Sequence, residues 1–498
     1  MSESTEPVAT APLAGTLRRG AAIATGTLVF TQLVSLAQTL VLARLLSPAE
    51  VGWFAAGTVL SGFLLTFAEG GMSNAVVQRQ DRLDDVAATV FWATLLAGLG
   101  WAGVALAAAP LMARIFGSDT VGLICALSAG TIVLHALTYV PDALLQRRFD
   151  FRERLIVQPV IVVTFAVTSV TLCATGFGVW GLVVGSYCSV LAWLAATWTL
   201  AGWRPGRGGR PSFALWRELA SFSMPLVLWT VVNRARDLLE TAIVGAALSA
   251  TALGYYRYGR RLGSLPETAV IDVGSYVLFP AFSRLAGDAQ RMRSAFLRAL
   301  QVLWTLILPA ACLIAVVGEP LVTVLLGEKW RGAGVMLVAL AGVGPGVALM
   351  AVGMESIKGL GRTRLLHWVT LGATALGIGL LFALLPLGLT GVGLALSISS
   401  LTAGLLSVLL ARPLVGATVG DLAHRLAPPV LVALPPAAAL WLLEHLCTHA
   451  DQHGFLLGAA VLAAEGAGYL ALYGTGLALF APAAWRELVA VARQVRHR

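Results

Sequence analysis

The sequence predicts an all-α integral membrane protein with about 14 transmembrane helices, and three observations carry that prediction. The first is composition: 58% of the 498 residues are hydrophobic and only 12% are charged. Mean hydropathy is +0.83. A water-soluble domain of this composition would expose apolar patches large enough to drive aggregation. The second is length: charge-poor stretches recur along the whole chain, each of about 20 residues, which as a helix spans ~30 Å of hydrocarbon. The third is where the positive charges fall between those stretches.

The apolar runs centre near residues 32, 60, 98, 131, 165, 190, 235, 267, 308, 344, 375, 401, 437 and 468. With the N-terminus inside, as Arg18 and Arg19 favour, 25 basic residues fall in inner loops and tails. Only Arg44, Arg114, Lys329 and Arg331 fall outside. Basic loops stay in the cytoplasm because translocating them is unfavourable, so both termini are expected there and the helix count is expected to be even. The net charge of +9 therefore reads as a topology signal, and no nucleic-acid partner is expected.

The organisation follows. Residues 1–16 read as a disordered cytoplasmic tail and 17–201 as an N-terminal six-helix bundle. The Pro/Gly/Arg-rich stretch 202–217 reads as a cytoplasmic linker, and 218–412 as a second six-helix bundle. Residues 413–481 hold two further transmembrane helices, and 482–498 form a basic cytoplasmic tail.

The two bundles are tied by a repeat. "LSPAEVGWF" at 46–54 returns as "LSATALGYY" at 248–256. Without a gap, Thr39, Leu46, Ser47, Gly52 and Gly57 coincide with Thr241, Leu248, Ser249, Gly254 and Gly259. Each copy lies at the first outer turn of its half, and six helices separate them, so the repeat is parallel and pseudo-symmetric. Two parallel halves related by an axis along the membrane normal describe a transporter with its substrate site between them near midplane.

Within this repeat the halves differ in charge. Helix 1 carries Thr31, Gln32, Ser35 and Gln38, a polar but uncharged stripe at helical spacing. Helix 7 carries Asn233, Arg234, Arg236, Asp237 and Glu240; helix 8 adds Arg257, Arg260 and Arg261, then Glu267 and Asp272. An ionised side chain at bilayer depth costs at least ~2.5–3.5 kcal/mol on insertion scales, so it needs a wet cavity or a partner. One reading is an arginine-rich cavity that binds an anion, since guanidinium forks match phosphate and carboxylate oxygens. The other is internal pairing: Arg236 with Glu240, Arg234 with Asp237, and Arg260 or Arg261 with Glu267.

Other constellations have plainer readings. Glu69, in "FAEGGMSNA", is a candidate proton or cation site, as are Glu267 and Asp272, but a residue at the inner interface is the simpler account of Glu69. Glu355 and Glu465 also lie at or in apolar segments, and nothing in the spacing singles them out. Cys125, Cys173, Cys188 and Cys312 fall inside apolar segments and read as small core residues. The loop "EHLCTHADQHG" at 444–454 matches no zinc signature. "QRRFDFRERL" reads as an interfacial stretch touching anionic headgroups. No GxxxxGK[ST] phosphate loop occurs, and the largest outer loop, about 318–332, leaves little room for a catalytic centre. No enzyme, cofactor or metal is expected.

Several stretches also resemble a known family. "ARLLSPAEVGWFAAG", "FAEGGMSNAVVQRQ", "LLQRRFDFRERL", "ALGYYRYGRRLGSLP", "VLFPAFSRL" and "LLGEKW" resemble, in this order, landmarks of Wzx-type polysaccharide exporters, especially the WzxC-like branch. The match runs over roughly residues 15–415. These exporters belong to the multidrug/oligosaccharidyl-lipid/polysaccharide exporter superfamily. The resemblance implies an alternating-access flippase of the bacterial cytoplasmic (inner) membrane. Its implied substrate is a polyprenyl-(pyro)phosphate-linked saccharide or related glycan lipid. Its implied partners are membrane lipids and polysaccharide polymerase machinery. In helix 7 this chain reads "NRARDLLETAIVG", where Glu240 is an acid additional to the family's asparagine and aspartate. A drug or metabolite/cation antiporter of the same superfamily is the competing expectation, and a basic cavity favours the anionic glycan lipid over it. The short outer loops argue against a membrane-embedded glycosyltransferase.

Overall fold

The computed structural model describes residues 11–79, 81–147, 153–206, 208–273, 277–362 and 364–496. Among the described residues every regular element is a helix. Contacts divide the chain into two compact units, Met1–Leu253 and Gly254–Arg498.

The first unit holds α1 (Ala11–Leu45), α2 (Pro48–Glu69), α3 (Met72–Gln78), α4 (Leu83–Phe116), α5 (Asp119–Arg147), α6 (Gln158–Ala174), α7 (Val179–Ala201) and α8 (Phe213–Ala247). α1 starts at Ala11, so the last part of the expected tail is helical, while residues 1–10 lie outside the described residues. The α1–α2 turn is set by local chemistry. Ser47 accepts from the Glu50 N–H, Glu50 reaches back to the Ser47 N–H at 2.8 Å, and Pro48 occupies the first helical turn. Gly70 and Gly71, at φ 57° and 66°, then break the path between α2 and α3. The core is layered: Leu64, Ala102, Ala105 and Ile132 join α2, α4 and α5. Val86, Val90, Phe91 and Leu144 join α4 and α5 to Leu219 of α8.

The linker is held along this unit. The Arg210 N–H donates to Asp85 at 2.9 Å, the Ser212 N–H donates to Thr89 at 3.1 Å, and Trp203 packs edge-on to Phe91. Of the interfacial stretch, residues 148–152 lie outside the described residues, and Glu153–Val157 forms a π-helical turn.

α9 (Ala250–Val273) begins in the first unit and continues into the second. The second unit adds α10 (Phe279–Leu285), α11 (Ala289–Leu326), α12 (Arg331–Ala339), α13 (Val343–Gly359), α14 (Arg364–Leu384), α15 (Gly388–Leu414), α16 (Val419–Leu443), α17 (Phe455–Phe480) and α18 (Pro482–Arg496). The two helices beyond the repeat, α16 and α17, pack on α11 through Val317, Val324, Ala437, Leu440, Leu462 and Tyr469. Polar bonds stitch the same contact: Arg293 to Asp421 at 2.7 Å, Trp304 Nε1 to the Leu426 carbonyl at 3.0 Å, and Tyr473 to the Thr305 carbonyl at 3.1 Å.

Eleven segments among the described residues are long and apolar enough to cross a bilayer. One of them, 364–414, contains both α14 and α15. α8 and α9 are not in the set, because their charged side chains lower the local hydropathy. The sequence-level expectation of about 14 counts those two helices as spans and counts α14 and α15 separately.

Candidate substrate-binding site

The stripe on α1 is polar at one end and closed at the other. Thr31 donates to the carbonyls of Thr27 and Leu28 at 3.0 Å, within its own helix. Gln32 is exposed and Ser35 half-buried. Gln38 is buried and donates through Nε2 to Ser169 Oγ of α6 at 3.0 Å. Its amide therefore joins two helices of the first unit.

α8 presents its charges as pairs. Arg236 Nε donates to Glu240 Oε1 at 2.6 Å, and the Glu240 side chain is only 7% exposed. One turn earlier, Arg234 and Asp237 stand 3.9 Å apart, and both are exposed. Both pairs match the intrahelical alternative that the spacing offered. Asn233 is exposed on the same stretch. A buried carboxylate needs such a partner, since an unpaired charge there costs far more than the pair gains.

In the second unit, one face of α9 packs closely on α12. A Cβ on Gly259 would meet the Ala333 carbonyl oxygen at 2.9 Å, and Gly263 faces Leu337 and Leu340, all on or beside α12. Tyr258 stacks on the fully buried Trp330 with ring centroids 4.1 Å apart. At about 100° per residue, Arg257 and Arg261 lie about 160° round the helix from Gly259 and within about 40° of each other. Arg257 is exposed; Arg260 and Arg261 are half-buried. Glu267 is buried two turns further on. Asp272 lies in α9, but its side chain is outside the described residues.

Glu69 ends α2 beside the double-glycine break and is half-buried. It lies within electrostatic reach of Asp142 of α5, which sequence reasoning missed. Asp142 accepts from Trp193 Nε1 at 3.2 Å and from Gln146 at 3.0 Å. Its only signal in sequence is one acid just before the basic run that reads as a loop. Near the start of α8, Arg79 donates to Glu218 at 2.6 Å, and that bond holds the Arg79 guanidinium above its ordinary range.

Among the described residues no cluster of three or more His, Cys, Asp or Glu is placed to hold a metal ion. In the 444–454 loop, His445 bonds the Trp441 carbonyl, His453 the Thr448 carbonyl, and Asp451 pairs with Arg331 at 2.7 Å.

Comparison with known proteins identifies the scaffold. The succinoglycan biosynthesis transport protein ExoT of Rhizobium meliloti (strain 1021) is 28% identical over 348 residues, 68% of this chain and 69% of that protein. The lipopolysaccharide biosynthesis protein WzxC of Escherichia coli (strain K12) is 26% identical over 310 residues, 60% of this chain and 61% of that protein. Among solved structures, the lipid II flippase MurJ in an inward closed conformation superposes with a TM-score of 0.73 at 15% identity, covering 91% of this chain and 98% of that one. An inward-facing multidrug resistance MATE family transporter of the MOP superfamily gives 0.65 at 16% identity, covering 78% and 94%. Likeness at these identities shows a shared fold: all-helical and membrane-spanning. The model of the family described as "polysaccharide biosynthesis protein" matches residues 41–334. That is more than half of the sequence, and the chain belongs to this family.

Proposed function

We propose that this protein is an alternating-access flippase. It carries a polyprenyl-(pyro)phosphate-linked saccharide, or a related glycan lipid, from the inner to the outer leaflet of a bacterial cytoplasmic membrane, for cell-surface polysaccharide synthesis. The observation that carries this reading is the arginine face of α9. Arg257 is exposed and lies on the side of α9 opposite the glycine face that packs on α12, and within α8 Arg236 pairs with Glu240 and Arg234 with Asp237. A guanidinium held off the protein core can meet a phosphate-bearing headgroup. The roles named for the relatives, succinoglycan transport and lipopolysaccharide biosynthesis, support the same substrate class.

In this reading α8 and α9 cross the membrane as charged spans, both termini are cytoplasmic, and 17–201 and 218–412 act as the two repeats. Asn233, Arg234, Arg236, Asp237, Glu240, Arg257, Arg260, Arg261, Gln32, Ser35 and Gln38 are the candidates for substrate contact. Glu69, Glu267 and Asp272 are the candidates for ion coupling. The protein is a carrier and not an enzyme, and it hands its substrate to polymerase machinery outside.

A drug or metabolite/cation antiporter is the second reading. The acids Asp237 and Glu240 on α8 and the MATE-like fold favour it. One experiment separates the two. Arg257, Arg260 and Arg261 are changed together to Gln in the native host, and lipid-linked saccharides are measured by mass spectrometry. The flippase reading expects at least a tenfold rise in the cytoplasmic-side pool, with the protein still inserted. An unchanged pool in cells newly sensitive to cationic toxins would move the assignment to the antiporter.

A further inference from the structure

Where α11, α16 and α18 meet, a cleft of about 450 Å³ is lined by Arg293, Ser294, Arg298, Arg425 and Glu487. A second cleft of about 670 Å³ adjoins it, and Gln290, Ser294 and Arg298 line both. Each lies within the size range of small-molecule sites, ~300–1,000 Å³. None of these residues is a candidate for substrate contact or ion coupling. Most of the arginines here are matched by a carboxylate. Arg293 pairs with Asp421 at 2.7 Å, Arg425 with Glu487 at 3.0 Å, and Arg291 of the second cleft with Asp288 at 3.3 Å. Arg298 is exposed, and its side chain makes no hydrogen bond or ion pair among the described residues. One positive charge is therefore left over.

The depth of these groups follows from helix geometry. The apolar run of α11 centres near residue 308 and that of α16 near residue 437. Arg298 and Arg425 precede those centres by about 15 Å and about 18 Å, at 1.5 Å per residue. Half of a ~30 Å hydrocarbon layer is about 15 Å, so both guanidiniums stand at the level of the lipid headgroups. Trp485 is exposed in the first turn of α18, as an aromatic residue at a membrane–water interface is. Gln290, Ser294 and Arg298 follow one another every four residues and so form a ridge along α11. The ridge continues into the apolar run with half-buried Val302 and exposed Leu306. Polar groups at headgroup depth, with an apolar path leading from them toward the midplane, match the two parts of a phospholipid.

We propose that this site binds one anionic phospholipid of the phosphatidylglycerol type from the inner leaflet. Its phosphodiester meets the Arg298 guanidinium, which offers five N–H donors to phosphate oxygens. Its glycerol hydroxyls meet the Gln290 amide and the Ser294 oxygen, whose own hydrogen goes to the Gln290 carbonyl at 3.0 Å. An acyl chain follows Val302 and Leu306. Basic pockets between helices on the cytoplasmic side take lipid headgroups in this way. Phosphatidylethanolamine fits less well, because its ammonium would stand among arginines whose carboxylates are already engaged. A soluble phosphate ester would leave the apolar part of the ridge uncovered. The choice of leaflet rests on the cytoplasmic termini of the flippase reading; the choice of headgroup does not.

The test uses the full chain in detergent micelles, with native mass spectrometry counting bound dioleoyl phosphatidylglycerol and dioleoyl phosphatidylethanolamine. The expected result is one phosphatidylglycerol per chain, retained at least tenfold better than the ethanolamine lipid. Arg298→Gln, which removes the charge, and Ser294→Phe, which fills the wall common to both clefts, should each lower that retention at least tenfold. Both residues are exposed, so the lipid-free variants should melt with the parent, and either one decides the matter if the other does not fold. Arg284→Gln is the control. Arg284 is exposed on α10, outside both clefts and equally unpaired among the described residues, and its loss should change retention less than twofold. An equal loss in Arg284→Gln and Arg298→Gln would show a general attraction to a basic surface and overturn the site. Equal retention of the two lipids, or displacement of the phosphatidylglycerol by an equal concentration of glycerol phosphate, would overturn the choice of occupant. None of these outcomes bears on the saccharide pool by which the flippase reading is tested.

Discussion

Gln38 and Glu240 stand at the same position of the two repeated hairpins, 202 residues apart, and both are buried. Gln38 reaches across to Ser169 of α6, so a neutral amide fastens two helices together. Glu240 is fastened along its own helix, by Arg236, at a position where α1 has Val34. The turns that follow are capped by matching serines, though not in the same way. Ser47 makes a two-way capping box with Glu50, whereas Ser249 only accepts from the Ala252 N–H, at 3.0 Å. The same glycine does the same work in each half: Gly57 lets α2 approach Ile124 of α5, and Gly259 lets α9 approach Met336 of α12. The two stretches share these frame positions and differ in their charges. Close packing tolerates little change in backbone contacts, whereas a polar face can be rewritten provided that each new charge arrives with a partner.

The sharpest way to break this comparison is to return Glu240 to its first-half identity. Glu240→Gln leaves Arg236 without its carboxylate and should cost about 2–3 kcal/mol, at or below the range for breaking a buried pair because Arg236 is partly exposed. The double change Arg236→Val with Glu240→Gln copies α1 and should recover most of that loss. Thermal unfolding in detergent checks both. If the double variant is no more stable than the single one, Glu240 is held by something other than Arg236.

A smaller effect separates the glycines. Gly52→Ala drives a methyl into the Ala250 carbonyl, a backbone atom that cannot move aside, and should cost ~1–3 kcal/mol as overpacking does. Gly259→Ala meets Ala333 O at 2.9 Å and the flexible Met336 side chain at 2.9 Å, so its loss should be less than half as large. Equal shifts in melting temperature would show that the two hairpins do not pack by the same rule.

The smallest difference is in the caps. Ser47→Ala removes a two-way capping box and should cost ~1 kcal/mol, while Ser249→Ala removes one bond and should cost roughly half that. Hydrogen exchange at the first turns of α2 and α9 resolves the contrast where global melting does not.

Much of the molecule is legible in the order of its residues. Runs of apolar residues announce helices that cross a membrane, since hydrophobicity over about 20 residues leaves few alternatives. The Arg236–Glu240 and Arg234–Asp237 pairs are legible too, because residues three and four apart share a helix face whatever surrounds them. Asp142 is not: its partner Trp193 is 51 residues away. Nor is the Glu444–Thr448–Glu465 chain, which depends on a π-helical turn folding back on the next helix.

The sequence alone thus determined the helical, membrane-spanning class, and it offered the Arg236–Glu240 and Arg234–Asp237 pairs as one of two alternatives, because both depend on composition or on spacings of a few residues. Tertiary structure alone decided that Gln38 is bonded to Ser169, that exposed Arg257 lies opposite the α9 face that packs on α12, and that Thr448 lies between Glu444 and Glu465. Those outcomes depend on which helices come into contact, and a spacing of 131 residues, as between Gln38 and Ser169, leaves no periodic trace in the chain.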